Sequence, residues 1–237
     1  MTNLNVCANT QATCDWHGGP RSIPTAEMKN IIAIAESLPT MKILCQVPFK
    51  DKMITELDLS GKNLGVEGAM VVSHYIHDNG ALVSANLLNN DISAEQAQSL
   101  AGILKEHATL KSLCGNKGNE TELDMSGKKM GADGAILFAP EIVANGALAK
   151  LTFGGDEYTT GSGWNEKTIT PEPTVLEVGM TEANLSNKNL CAGGAIIVGA
   201  WISHKDNGAL SLLDLSHNRL GDTGLVAFCD KIAAHQR

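Results

Sequence analysis

The chain has 237 residues and a formal net charge of −8. That acidity argues against nucleic acid as the main partner, because phosphate binding needs a basic stripe. A composition of 43% hydrophobic and only 4% aromatic residues, with 24 glycines and 7 prolines, suits small aliphatic cores and argues against disorder.

Residues 1–23 read as an irregular N-terminal segment. The opening MTNLNVCANTQATCDW shows no charged n-region or apolar h-region of a signal peptide. No apolar run reaches the roughly 18–20 residues that span a bilayer, and no basic run suggests a membrane surface, so direct membrane insertion is not expected. Cys7 and Cys14 are spaced to close a small loop. Cys14 and His17 offer metal-ligand types, but no second C-x-x-C pair accompanies them, and no metal site is expected. The remaining cysteines, Cys45, Cys114, Cys191 and Cys229, hold repeat positions suited to small or apolar residues and read as buried free thiols. Six scattered cysteines are not a dense disulfide framework. A reduced intracellular protein is expected, cytoplasmic or in an organelle lumen after removal of any targeting peptide.

Residues 24–52 predict a capping helix over Pro24–Leu38 and a strand stub, TMKILC, at Thr40. From residue 53 to 237 the chain repeats itself. TELDLSGKNLGVEGA at Thr55 returns as TELDMSGKKMGADGA at Thr121 and as TEANLSNKNLCAGGA at Thr181. NGAL occurs at Asn79, Asn145 and Asn207, and shorter copies follow as LVSANLLNNDIS at Leu82 and LSLLDLSHNRLG at Leu210. Six repeats begin near residues 53, 81, 119, 147, 180 and 209, and full ones run about 28 or 29 residues. A second stub, TLKSLC, stands at Thr109.

Each repeat alternates first, as in Leu57–Asp58–Leu59, which predicts a short strand. It then takes helical spacing. The inward stripe reads Gly68, Val72, Ile76; Gln96, Leu100, Leu104; Gly134, Phe138, Ile142; Gly194, Val198, Ile202; and Gly224, Phe228, Ile232. Glycine opens four of these stripes, which predicts a close approach of helix to strand layer. Pro140 should kink or shorten its helix. The fourth repeat has no helical stripe after Phe153, and an insert at about 156–176 predicts a loop or a β-hairpin in place of the helix. Tyr75 and Trp201 hold one helix position and should pack between helices.

These strands, helices and repeat lengths resemble the ribonuclease-inhibitor type of leucine-rich repeat over about residues 40–237. The resemblance implies an α/β solenoid, a horseshoe or arc, with a parallel sheet on the concave face and helices on the convex face. Its L-x-L-x-x-N-x-L pattern places an asparagine in the turn after each strand. Here that column reads Lys62, Asn90, Lys128, Asp156, Lys188 and Asn218. Two readings stand for the lysines: a structural mark of double modules, with the stem packed on apolar neighbours and the ammonium on carbonyls or water, or a cationic row for a ligand.

On that fold the residues flanking the strand leucines face the concave side. They are Glu56, Asp58 and Ser60; Ser84, Asn86 and Leu88; Glu122, Asp124 and Ser126; Lys150 and Thr152; Glu182, Asn184 and Ser186; and Leu212, Asp214 and Ser216. The polar, acidic set reads either as a solvated sheet face or as a docking surface for a basic protein segment. Tyr158 and Trp164 in the insert are a second candidate contact, or a cover for the sheet edge. Nucleophile, phosphate-loop, zincin and dinucleotide motifs are missing, so no catalytic residue and no cofactor are expected. The resulting expectation is a non-enzymatic protein–protein interaction scaffold. The alternatives are a structural subunit of a larger assembly, or a docking regulator of a small GTPase.

Overall fold

A computed structural model describes residues 3–4, 25–154, 158–160, 166–204, 207 and 209–235. The chain divides into two compact units, Met1–Asn116 and Lys117–Arg237.

In the first unit the described elements are β1 (Asn3–Leu4), α1 (Thr25–Ser37), β2 (Ile43–Leu44), β3 (Glu56–Asp58), α2 (Gly65–Asp78), β4 (Ser84–Asn86) and α3 (Ala94–Glu106). The helix expected over Pro24–Leu38 is α1, and the first stub supplies β2. β2 runs parallel to β1, and β3 runs parallel to β4 with Leu57 beside Ala85. The second stub lies along the other side of β4, where Ala85 N donates to Ser112 O and Leu87 N to Leu113 O, both at 2.9 Å. Leu59, Leu64, Leu87 and Leu113 form the buried seam of these coils, with α2 and α3 packed beside it.

The second unit holds β5 (Glu122–Asp124), α4 (Gly131–Ala144), β6 (Lys150–Phe153), β7 (Tyr158–Thr160), β8 (Lys167–Ile169), β9 (Thr174–Glu177), β10 (Glu182–Asn184), α5 (Ala192–Ile202), β11 (Leu212–Asp214) and α6 (Gly221–His235). β5 pairs with β6, and β10 with β11, in parallel. The expected uninterrupted parallel sheet is corrected here. β9 returns antiparallel along β6, with Leu151 beside Leu176, and takes the hydrogen-bonding edge that a further parallel strand would need. The insert is therefore the hairpin alternative: β7 and β8 pair antiparallel.

Several local expectations change. α4 runs unbroken through Pro140 and matches α2 at 14 residues, so the proline does not shorten it. Pro140 and Ile136, four residues earlier, are both half-buried. Of the stripe glycines, Gly224 approaches a neighbouring helix and Gly194 approaches the Leu190 side chain in the turn before α5, while Gly193, outside the stripe, meets the start of α4. A Cβ on Gly193 would overlap the Gly131 carbonyl oxygen, and one on Gly224 would lie 2.7 Å from Ala192 Cα. α5 thus packs against both α4 and α6 through bare backbone.

Of the four cysteines read as buried free thiols, Cys114 is buried and outside any disulfide. Cys191, the N-cap of α5, and Cys229, on an outward position of α6, are free and exposed. Cys45 is not a free thiol but is held in a disulfide. The pairing of Cys7 with Cys14 and the metal reading of Cys14 and His17 lie outside the described residues.

The NGAL asparagines are joints between helix and next strand. Asn79 is fully buried, donates to Ile54 O at 3.1 Å and to Tyr75 Oη at 2.8 Å, and accepts from Ala81 N at 3.0 Å. Asn145 repeats the pattern with Glu120 O at 2.9 Å and Ala147 N at 3.1 Å. Tyr75 and Trp201 are buried, as expected, and Trp201 stacks on His204 with ring centroids 5.9 Å apart.

Candidate functional site

The candidate surface is built at the C-terminal end of each short strand, where alternation gives way to a turn. In the first unit Glu56 and Asp58 are exposed and Ser60 is half-buried. Ser60 N and Ser60 Oγ both donate to Asp58 Oδ1, at 3.0 and 2.7 Å. In the second unit Ser126 binds Asp124 in the same way, at 2.9 and 2.6 Å, and Ser186 binds Asn184 at 3.0 and 2.7 Å. Ser216 N donates to Asp214 Oδ1 at 2.8 Å.

These aspartates thus close the turn that follows the strand, a local competition of side chain with backbone pairing. The serine hydroxyl and amide hold the Asp58 and Asp124 carboxyls below the usual range, with a smaller contribution from Lys62 and Lys128 respectively. Asp214 is lowered chiefly by Ser216.

Register separates the acids within each unit. Glu56 stands beside Ser84 and Asp58 beside Asn86. Glu122 stands beside Lys150 and Asp124 beside Thr152. Glu182 stands beside Leu212 and Asn184 beside Asp214. Lys150 Nζ is also 3.4 Å from Glu177 Oε1, so the lysine that the sequence places on this face is paired with a carboxylate of β9. Asn86 and Thr152 are half-buried, as are Ser84, Ser126, Ser186 and Asp214, while Glu122, Asp124, Glu182, Asn184 and Ser216 are exposed. Leu88 does not join this face. It is 4% exposed, because the turn begins after Asn86 and the two-residue alternation ends there. The backbone of Tyr158 lies in β7, and Trp164 falls outside the described residues.

The asparagine column has a defined structural role. Asn90 is fully buried, and its Oδ1 accepts from Lys62 N at 2.9 Å and Leu64 N at 3.3 Å in the preceding coil. Its Nδ2 donates back to Leu59 O at 2.8 Å and to Leu87 O at 2.9 Å in its own coil. Asn218 does the same for the turn around Lys188: Oδ1 accepts from Leu190 N at 3.0 Å, and Nδ2 donates to Leu185 O at 2.7 Å. Each asparagine therefore satisfies backbone that would otherwise be buried unpaired in two adjacent turns. Lysine stands where the preceding segment is no full repeat: the stub before Lys62, or β9 and its turn before Lys188. Lys62 and Lys128 are exposed, and the stub before Lys62 reaches its turn through Gln46 Nε2, which donates to Lys62 O at 2.8 Å.

The Asn218 turn lies within the segment that a known family matches. Residues 207–229 match the leucine-rich repeat family model. The matched leucine-rich repeat runs from the NGAL asparagine Asn207 through β11 and Asn218 into α6. No curated protein matches the chain. Leucine-rich repeats commonly mediate protein–protein interaction, and the family is generally non-enzymatic.

Proposed function

We propose that the chain is a non-enzymatic scaffold of ribonuclease-inhibitor-type repeats. It docks a basic segment of another protein on the exposed carboxylates at its strand ends. The observation that carries the reading is the recurrence of Glu56 and Asp58 as Glu122 and Asp124, each pair exposed on a strand fixed by a parallel neighbour. Fixed carboxylates cost a partner little reordering and steer a basic segment by charge. Tyr158 and Trp164 of the insert belong to the same proposal as a second contact. The proposed compartment is intracellular, and the disulfide at Cys45 favours an organelle lumen over the cytoplasm.

The test uses the glutamates, because the aspartates also close turns. Wild type and a Glu56→Lys, Glu122→Lys, Glu182→Lys variant are titrated with a fluorescent oligolysine peptide at low and moderate salt. Binding that weakens with salt and is lost in the variant supports docking. Equal binding by both proteins defeats it.

A second reading is an architectural subunit of a larger assembly. Leu225 and Val226, adjacent on α6, are 45% and 61% exposed, apolar side chains that a neighbour would cover. The alternative as a docking regulator of a small GTPase draws no specific support from these side chains.

A further inference from the structure

His74 and Asp78 stand one turn apart on α2, and Glu36 reaches them from α1, all within the first unit. His74 Nε2 lies 2.7 Å from Glu36 Oε1 and 3.8 Å from Asp78 Oδ2. The three ligand atoms fall within 4.8 Å of one another. Glu36 and His74 also border a groove of about 600 Å³ lined by α1, α2 and α3.

We propose that Glu36, His74 and Asp78 form a Zn²⁺ site that links α1 to α2. One imidazole nitrogen meets two carboxylates from two helices, which is a donor set zinc accepts. Metal–ligand bonds of about 2.0–2.1 Å in a tetrahedral site put ligand atoms about 3.4 Å apart. The observed 2.7 and 3.8 Å differ from that value by about 0.7 and 0.4 Å, and the Glu36 and Asp78 oxygens are no more than 4.8 Å apart, so rotations of these solvent-reached side chains bring the three donors to the ion. Zn²⁺ would bind the Nε2 lone pair of the neutral His74 tautomer that carries its proton on Nδ1, in place of the Glu36 hydrogen bond, and two carboxylates would neutralise the ion. Three protein ligands leave the fourth position to water or to a donor arriving through the groove.

Lys52 is the resident competitor. Its Nζ is 3.9 Å from Asp78 Oδ2 and 5.1 Å from the Tyr75 ring centroid. The ring contact gives the ammonium a place to stay when the metal takes the carboxylate. His77 lines the same groove but is not one of the three converging ligands, which makes it the internal control.

The test is a Zn²⁺ titration of the untagged full chain against a chromophoric chelator, with Co²⁺ absorption as a second probe. One ion per chain is expected. Affinity should fall at least tenfold in each of Glu36→Gln, His74→Gln and Asp78→Asn, and stay within about twofold in His77→Gln. In wild type, Zn²⁺ should move the ¹⁵N shift of the His74 Nε2, a readout that needs no variant. No binding by wild type, equal binding by the His74 variant, or a shift at other histidines but not His74 would each overturn the site.

Discussion

Asn90 closes the turn that carries Lys62. Its side-chain oxygen takes the Lys62 amide at 2.9 Å while its nitrogen gives to Leu59 O at 2.8 Å. The lysine side chain itself is exposed. The structural importance of that turn therefore sits on a residue 28 positions later in the chain.

Replacing Asn90 with Ala should cost about 3 kcal/mol, since backbone amides and carbonyls of two turns lose their partner. Lys62→Ala should change stability by no more than about 0.5 kcal/mol, as exposed positions do. Urea unfolding of both variants checks the contrast. Comparable losses would refute this division of labour.

The turn aspartates make a pH prediction. Serine hydrogen bonds depress the folded-state pKa of Asp58, Asp124 and Asp214 below the ordinary 3.8. Their contribution to stability is complete above that value and is lost as pH falls through the lower folded pKa. Asn184 shows that an amide makes the same turn. An Asp58→Asn, Asp124→Asn, Asp214→Asn variant should fold normally and lose less stability than wild type between about pH 4 and 2. Melting temperature against pH is the measurement, and identical slopes would contradict it. Some slope should persist. Burial raises the Glu120 pKa, but backbone amides of Lys117, Gly118 and Asn119, together with its own amide, outweigh it and leave the group lowered.

The bare-backbone packing of α5 predicts intolerance to a single methyl. Gly193→Ala places Cβ against the Gly131 carbonyl, and Gly224→Ala places it 2.7 Å from Ala192 Cα, so neither contact can yield by rotating a side chain. Each should destabilise by about 1–3 kcal/mol or more, although alanine is the better helix former. Gly102→Ala on α3, where nothing lies within 4 Å of the added carbon, should be neutral or stabilising. Thermal denaturation of the three variants separates packing from propensity.

The buried joint at Asn79 gives a fourth expectation. Tyr75→Phe removes the hydroxyl that donates to Asp51 O at 2.7 Å and accepts from Asn79 Nδ2 at 2.8 Å. Asn79 keeps Ile54 O, so the loss should be about 1–2 kcal/mol. Asn79→Ala also abandons Ile54 O and the Ala81 amide and should cost more. Chemical denaturation that ranks them in the opposite order would reject this account.

The repeated sequence by itself determined the elements. A two-residue alternation followed by a helical stripe located β3, β5, β10 and β11 and the helices after them, because one residue pattern recurring in several copies averages away local ambiguity. It also marked the asparagine and lysine columns. It did not reveal what the columns do, since Asn90 acts on Lys62 and Leu59 across a coil boundary. Nor did the alternation foresee that β9 would take the edge of β6, that glycines would meet neighbouring helices, or that Glu36 would meet His74 across 38 positions. Those are relations between segments. Periodicity fixes which face a residue occupies on its own strand or helix. Only tertiary packing decides which group from another segment stands opposite it.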